Sequence, residues 1–213
     1  IKQVSSKSEF KIIPNVVNTD FFIRTPAKKN KTFTLFTLSN LVKDKAVDFL
    51  LDSFSLAVKN DPCFFLYIGG SGPELSNLKS LSASLGLNNN VNFLGELNRS
   101  EVAKKMNEAD VYIHPSDFET FGVVLIEAMS TGTPVITTNC GGPEEFINKN
   151  NGIKVNKRDI NGLSTAISEM KLNFSDYRSE DIRNYVISHF SEEAVAKRLI
   201  GAYDEVVKRK RNE

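Results

Sequence analysis

The stretch Ala109–Asn139, ADVYIHPSDFETFGVVLIEAMSTGTPVITTN, decides the expected fold of this chain. Within it, Val111–His114 is a short apolar run that ends at Pro115, which is typical of a buried strand. Ser116–Thr120 is polar and follows the proline directly. We therefore expect a strand that leads into an exposed loop.

A helix and a second strand are predicted after this loop. Apolar residues recur at helical spacing from Phe121, and Gly132 is expected to end the helix. The run Val135–Thr138 is β-branched throughout and predicts the next strand. The stretch is thus strand, loop, helix, turn and strand.

Two carboxylates frame the predicted helix, Glu119 just before it and Glu127 within it. At helical rise their spacing corresponds to about 12 Å along the axis, which is too far for a shared proton or a shared metal ion. Between them, the amides of Phe121, Gly122 and Val123 begin the helix, where free N–H groups bind phosphate. Carboxylates accept hydrogen bonds from hydroxyls. Hydroxyl, phosphate and hydroxyl sites in this order are the layout of a nucleotide-sugar.

The rest of the chain repeats the strand-and-helix pattern. Six strands are predicted to begin at Thr32, Cys63, Val91, Val111, Val135 and Ile153. This alternation predicts an α/β, Rossmann-like three-layer fold with a parallel sheet of about six strands. Among the helices, we expect Lys43–Lys59, Ser100–Glu108 with Ser100 as its N-cap, Ser175–His189 and Ser191–Arg211.

The segment Pro115–Gly142, PSDFETFGVVLIEAMSTGTPVITTNCGG, closely resembles the signature of the retaining glycosyltransferases of family 4, which have the GT-B fold. The hallmark of that family is two glutamates with seven residues between them, here Glu119 and Glu127, followed by Gly-x-Pro-Val, here Gly132–Val135. The resemblance implies that Glu127 binds the ribose hydroxyls and that Glu119 binds the hydroxyls of the transferred sugar.

The resemblance also implies how the diphosphate is held. The helix-start amides and Lys45 would stabilise it as it departs, so no cofactor or metal ion is expected. Lys45 matches the lysine of the family's "GRL-x-x-x-KG" block, whereas Asn40 stands where that block has arginine. An arginine binds phosphate through two N–H groups of a charged guanidinium, whereas Asn40 offers one neutral amide. This replacement should lower the stabilisation of the leaving diphosphate by roughly a few kcal/mol. The alternative interpretations are that Lys45 is a solvated lysine of a helix and that Asn40 is an ordinary turn residue.

Two further blocks match the family. Gly70 and Gly72 correspond to its "G-x-GP" loop, and a tight turn without a ligand is the alternative interpretation. The segment FLGELNRSE resembles the part of the family in which the backbone near Leu97 contacts the nucleobase. Because backbone contacts leave no side-chain signature, Leu97 is inferred from its position only.

The resemblance implies three parts of the chain. Residues 1–22 resemble the connector between the two GT-B domains, residues 23–190 form the nucleotide-sugar-binding domain, and residues 191–213 form a helix that braces the N-terminal domain. The chain has no initiator methionine, and we expect it to be the C-terminal piece of a longer protein. The N-terminal domain would supply the acceptor site.

Charge and cysteine content restrict the partners and the compartment. A net charge of +1 and the lack of a groove-reading motif argue against nucleic acid. Two distant cysteines favour reduced thiols and a cytoplasmic location. The basic run Lys208–Arg211 either meets anionic lipid at the inner face of a membrane, as a membrane-linked acceptor would require, or offsets a helix dipole.

The first functional hypothesis is the donor-binding domain of a retaining glycosyltransferase (EC 2.4). It would transfer a hexose-type sugar in cell-surface polysaccharide or glycolipid synthesis. A second hypothesis, based on Asn40, is a non-catalytic sugar-nucleotide-binding or partner module. A third, another Rossmann-type enzyme such as an epimerase or dehydrogenase, is disfavoured because G-x-G-x-x-G is missing. We expect the isolated chain to bind nucleoside diphosphate weakly and to transfer no sugar.

Overall fold

The computed structural model describes residues 11–25 and 32–212, and its elements follow the predicted alternation. The strands are β1 (Phe33–Leu38), β2 (Phe64–Gly69), β3 (Val91–Gly95), β4 (Val111–His114), β5 (Val135–Thr138) and β6 (Gly152–Val155). The helices are α1 (Val47–Asn60), α2 (Leu75–Ser84), α3 (Arg99–Glu108), α4 (Val123–Ser130), α5 (Ile160–Leu172), α6 (Ser179–Phe190) and α7 (Glu192–Asn212). The first ten residues of the predicted connector lie outside the described part of the chain.

The six strands form one parallel sheet in the order β3-β2-β1-β4-β5-β6. From β1 the order runs outward in one direction through β2 and β3, and from β4 it runs outward in the other. A crevice therefore opens between the carboxyl ends of β1 and β4, which is where doubly wound sheets bind ligands. The predicted Rossmann-like α/β fold is confirmed.

Side chains alternate along each strand between two hydrophobic cores. Leu35 and Ile113 belong to the core beneath α1, α2 and α5. Phe36 and Tyr112 belong to the core beneath α3, α4 and α6, and their rings pack edge to face. Because both faces of the sheet are covered, the strands are apolar on both sides, as the continuous apolar runs in the sequence indicated.

The predicted N-cap of α3 is wrong. Asn98, not Ser100, caps the helix, because its side chain accepts a hydrogen bond from the Glu101 N–H at 3.0 Å. The Glu101 carboxylate accepts one from the Asn98 N–H at 2.8 Å, which completes a capping box. Ser100 is exposed in the first turn.

Two predicted helices begin later than expected. The segment predicted from Lys43 first makes a short 3-10 turn, and α1 begins at Val47 only after Ala46, whose φ of 52° is left-handed. The segment predicted from Ser175 likewise makes a 3-10 turn, and α6 begins at Ser179. In the first case the helical spacing of apolar residues begins only at Val47, which is where α1 begins.

The described part of the connector packs against the domain. Val17 and Phe22 are buried, and the Val17 N–H donates to the Phe190 carbonyl at 2.9 Å. Arg183 of α6 donates to the Phe22 carbonyl at 2.9 Å and to the Thr19 carbonyl at 3.0 Å. We call residues 17–22 the strap, because they run across the ends of α4 and α6.

The last helix, α7, exposes much of its apolar surface. Ser191 caps it by accepting a hydrogen bond from the Ala194 N–H at 3.2 Å. Apolar side chains exposed on this helix are Leu199, Ile200, Tyr203, Val206 and Val207. Within residues 11–25 and 32–212, no helix combines the length and apolar character needed to cross a bilayer.

Candidate functional site

The predicted site residues meet at one edge of the sheet. Asn40 and Lys45 follow β1, Gly70 and Gly72 follow β2, Leu97 follows β3, Phe121 and Gly122 follow β4, and Val123 begins α4. Since all strands are parallel, these loops share the carboxyl edge that contains the crevice between β1 and β4. The structure thus gathers residues that are far apart in the sequence.

The backbone of Glu119 is fixed between two elements. Its N–H donates to the Cys140 carbonyl at 2.9 Å, and its carbonyl accepts from the Gly142 N–H at 2.9 Å. These bonds form an isolated parallel bridge between the loop after β4 and the turn after β5. The position of Glu119 is therefore set by β5 as well as by its own strand.

The Glu119 side chain lies among hydrogen-bond donors. Its Oε2 is 3.2 Å from Lys45 Nζ and 3.5 Å from His114 Nε2, and its Oε1 is 3.4 Å from the Phe121 amide nitrogen. The His114 imidazole and the Lys45 ammonium hold the pKa of Glu119 below its usual range, although partial burial opposes them. Glu119 is therefore an anion at neutral pH that can accept hydrogen bonds from hydroxyls.

His114 ends β4 and lies close to Glu119. Its side chain is only 3% exposed, and Glu119 is the acid it faces. At 3.5 Å the contact is long, and Nε2 makes no hydrogen bond of normal length within the described residues. The histidine is buried, but its ring nitrogen is not satisfied.

Helix α4 begins at Val123 and not at Phe121. Gly122 precedes it with φ 88°, a left-handed conformation, and a Cβ at this position would lie 2.9 Å from Pro143 Cγ. The N–H groups of Val123 and Val124 start the helix and have no acceptor within it. Glu119 lies outside the helix, so helical rise does not set its separation from Glu127.

Glu127 lies within α4, half-buried. Burial raises the pKa of its carboxyl, and the nearby Arg99 guanidinium partly offsets that rise. Arg99 also lies over the Phe21 ring at 4.6 Å and the Phe22 ring at 5.4 Å from their centroids. A cation–π contact therefore joins the strap to the surroundings of Glu127.

The glycines of the loop after β2 have a structural reason of their own. A Cβ on Gly70, whose φ is 112°, would lie 1.9 Å from the Ser39 carbonyl oxygen, and one on Gly72 would lie 2.5 Å from the Leu41 carbonyl oxygen. The loop can approach the segment after β1 only without these side chains. Asn40 is exposed in that segment. Binding of a phosphate by the loop stays a prediction.

Three buried polar atoms near this edge have no hydrogen-bond partner in the described part of the chain: Ser39 Oγ, His114 Nε2 and Ser116 Oγ. They follow β1 or end β4, on the two sides of the crevice. Buried polar atoms are normally paired, so each of them needs a partner that the described protein atoms do not provide. Sequence analysis did not select the two serines, because a serine after a strand carries no signal of its own.

No group of three or more His, Cys, Asp and Glu side chains is arranged to hold a metal ion in residues 11–25 and 32–212. That the site works without a metal ion stays a prediction. The chemistry of the described site is that of a carboxylate, a lysine, free amides and hydroxyls, which together can hold a polyhydroxylated phosphate ester.

Comparison with protein families identifies the chain. Residues 18–189 match the family model described as glycosyl transferases group 1. This chain belongs to that family. This group 1 glycosyl transferase chain is 27% identical over 209 residues to the gpi3 subunit of the phosphatidylinositol N-acetylglucosaminyltransferase of Schizosaccharomyces pombe, which covers 97% of the chain and 46% of the relative.

Other relatives and solved structures agree. The group 1 chain is 31% identical over 176 residues to a GDP-mannose-dependent alpha-(1-6)-phosphatidylinositol monomannoside mannosyltransferase of Mycobacterium tuberculosis, covering 74% of the chain and 46% of the relative. The crystal structure of Anabaena HepE in complex with UDP has the same fold, with a TM-score of 0.81 and 21% identity over 92% of this chain and 57% of that one. The chain spans about half the length of the curated relatives that it matches.

Proposed function

We propose that this chain is the donor-binding, C-terminal half of a retaining GT-B glycosyltransferase of family 4. The observation that carries the proposal is the meeting of Glu119, Lys45 and the amino end of α4 at the crevice between β1 and β4. Lys45 Nζ lies 3.2 Å from Glu119 Oε2, so a group for a diphosphate and a group for a sugar hydroxyl adjoin each other. A sugar diphosphate requires these two groups to be adjacent, because its sugar is bonded directly to its diphosphate.

Each part of the site has a role in this proposal. The free amides at the start of α4 and the Lys45 ammonium stabilise the charge that develops on the departing diphosphate. Glu119, kept ionised by His114 and Lys45, accepts hydrogen bonds from the hydroxyls of the transferred hexose. Glu127 accepts them from the ribose. The turn with Gly70 and Gly72 and the backbone near Leu97 contact the nucleotide, and the reaction needs no metal ion.

Binding of nucleoside diphosphate by this chain tests the donor-site proposal. We expect calorimetry with UDP, GDP and ADP to find weak binding of at least one of them. Glu127→Gln should weaken that binding about tenfold, because the ribose loses a charge-assisted hydrogen bond. Glu180→Gln, an exposed change in the first turn of α6, is the matched control and should leave the affinity unchanged. If none of the three binds, the donor-site proposal is wrong.

Asn40 favours a second candidate, a non-catalytic sugar-nucleotide-binding module. Its exposed amide stands where the resemblance places a charged arginine. Turnover by the complete protein, including its N-terminal domain, separates the two. If no nucleotide-sugar is transferred or hydrolysed even slowly, the enzyme proposal fails. If turnover is slow, Asn40→Arg should raise the rate by restoring a bidentate phosphate contact.

Two more features support the proposal for the complete protein. The exposed apolar residues of α7, Ile200 and Tyr203 among them, suit packing against an N-terminal domain. Two relatives are named for phosphatidylinositol-linked acceptors, which supports a membrane-linked acceptor and a cytoplasmic site at the inner membrane face. Glycolipid or cell-surface polysaccharide synthesis is the corresponding pathway class.

A further inference from the structure

Arg158, in the loop after β6, joins two carboxylates from distant parts of the chain. Its Nε lies 3.0 and 3.1 Å from the two carboxylate oxygens of Asp117, in the loop before Glu119. Its Nη1 lies 3.1 and 2.9 Å from those of Asp48, in the first turn of α1. One guanidinium thus links three segments through bidentate pairs.

The backbone at this junction is strained. Arg158 has φ 57° and Ala46, just before α1, has φ 52°, and these are the only residues other than glycine with positive φ in the described chain. A side chain in the left-handed region is unfavourable, and such strain persists only where the surrounding contacts fix it. Both strained residues therefore occur in segments that the Arg158 contacts join.

The junction is directly connected to the proposed sugar site. The Asp117 N–H donates to the Asp44 carbonyl at 2.9 Å, and Asp44 precedes Lys45. Asp117 is two residues before Glu119. The Arg158 fork and this backbone bond hold the Glu119 loop against the rigid start of α1.

We propose that Arg158 is a positioning residue for Glu119, which keeps the loop of residues 116–121 in the geometry that binds the transferred sugar. This inference rests on the proposed function of the site. A purely stabilising role explains the arrangement poorly, because partly exposed ion pairs add little to stability and the strained backbone opposes even that gain. Arg158 itself touches no proposed substrate group.

The first test needs no ligand. Amide hydrogen exchange of the full chain is compared between the wild type and Arg158→Gly, a substitution that removes the fork and also relieves the strain at φ 57°. We expect the Asp117 and Glu119 amides to exchange about tenfold faster while the thermal unfolding temperature stays close to that of the wild type. Unchanged exchange at both amides overturns the proposal.

Lys171→Ala is the matched control. Lys171 forms a comparable, partly exposed ion pair with Asp61, whose side chains are 32% and 35% exposed, but that pair lies beyond the last turn of α1, away from the site. This variant should leave the exchange of the Asp117 and Glu119 amides unchanged. If it speeds their exchange as much as Arg158→Gly does, the effect is general loosening, and the positioning role is wrong.

The second test measures the contribution of the sugar. Calorimetry gives the affinity of the chain for UDP, GDP and ADP and for UDP-glucose, GDP-mannose and ADP-glucose. Arg158→Gly should lower the affinity for the sugar conjugate relative to its nucleotide about tenfold. In a Glu119→Gln background it should have no further effect. An equal loss for nucleotide and conjugate overturns the proposal, whereas no binding by the wild type contradicts the proposed function instead.

Discussion

At the scale of the residue, the two glutamates of the signature have opposite environments. The His114 imidazole and the Lys45 ammonium lie beside Glu119 and keep its pKa low, whereas burial raises the pKa of Glu127. A carboxyl with a lowered pKa stabilises the fold above its unfolded pKa of about 4.3, and this stabilisation is lost as the pH falls below that value. A carboxyl with a raised pKa destabilises the fold as the pH rises from its unfolded pKa through its higher folded pKa.

Substitution of the two glutamates should therefore have effects of opposite sign. At pH 7, Glu119→Gln is expected to lower the free energy of unfolding by about 1.5–3 kcal/mol, because hydrogen bonds to a charged group are lost. Glu127→Gln should raise the free energy of unfolding. The Glu127 difference should disappear as the pH falls to the unfolded pKa of about 4.3, and the Glu119 difference should shrink as the pH falls below that value. Urea unfolding at several pH values measures them, and effects of the same sign would contradict this assignment.

The sequence pointed to the glutamates and to Lys45, but not to the contacts between them or to Arg158. Glu119 and Glu127 were found because they lie in one continuous signature. Arg158 was not found, because the carboxylates that it binds are 41 and 110 residues away in the chain. A surface arginine in a loop has no pattern that distinguishes a bound guanidinium from a solvated one. His114 was noticed, but its approach to Glu119 depends on the folded course of the loop.

At the scale of the element, helix and strand types were predictable and their ends were not. Apolar spacing depends only on neighbouring residues, and all six strands occur where it indicated. The start of a helix depends on which of several polar residues turns its side chain back to the backbone. Both Asn98 and Ser100 are good caps, but only Asn98 is followed three residues later by a glutamate, Glu101, that completes a capping box.

The capping assignment gives a prediction for α3. Asn98→Ala should lower the free energy of unfolding by about 1 kcal/mol, because the Glu101 N–H loses its acceptor. Ser100→Ala is the matched control, because Ser100 is the second residue of the same helix; it should change the free energy of unfolding by less than about 0.5 kcal/mol. Chemical denaturation of the two variants gives the comparison. Equal losses would mean that Ser100 shares the capping role.

At the scale of the whole molecule, the strap is held by long-range contacts. Arg183 donates to the Phe22 and Thr19 carbonyls and, at 2.6 Å, to the Ser130 carbonyl at the end of α4. No local pattern in the sequence predicts these bonds, since they join positions more than 50 residues apart. Sequence analysis described the strap only as part of a connector.

Loss of Arg183 should show how much the strap contributes. Arg183→Ala removes the guanidinium donor of the Thr19 and Ser130 carbonyls and one of the two donors of the Phe22 carbonyl, and it should lower the free energy of unfolding by about 2–3 kcal/mol. Arg178→Ala is the matched control, because Arg178 lies just before the same helix and its side chain makes an exposed pair with Asp181. That control should cost less than about 0.5 kcal/mol. A loss as small as the control's would show that the other contacts of the strap, such as the burial of Val17 and Phe22, hold it without Arg183.

The Arg183 hydrogen bonds connect the strap to helix α4. The same guanidinium donates to the Phe22 carbonyl of the strap and to the Ser130 carbonyl at the end of α4. The first turn of α4 is the proposed binding position of the diphosphate. A substitution of Arg183 should therefore loosen the strap and the last turn of α4 together.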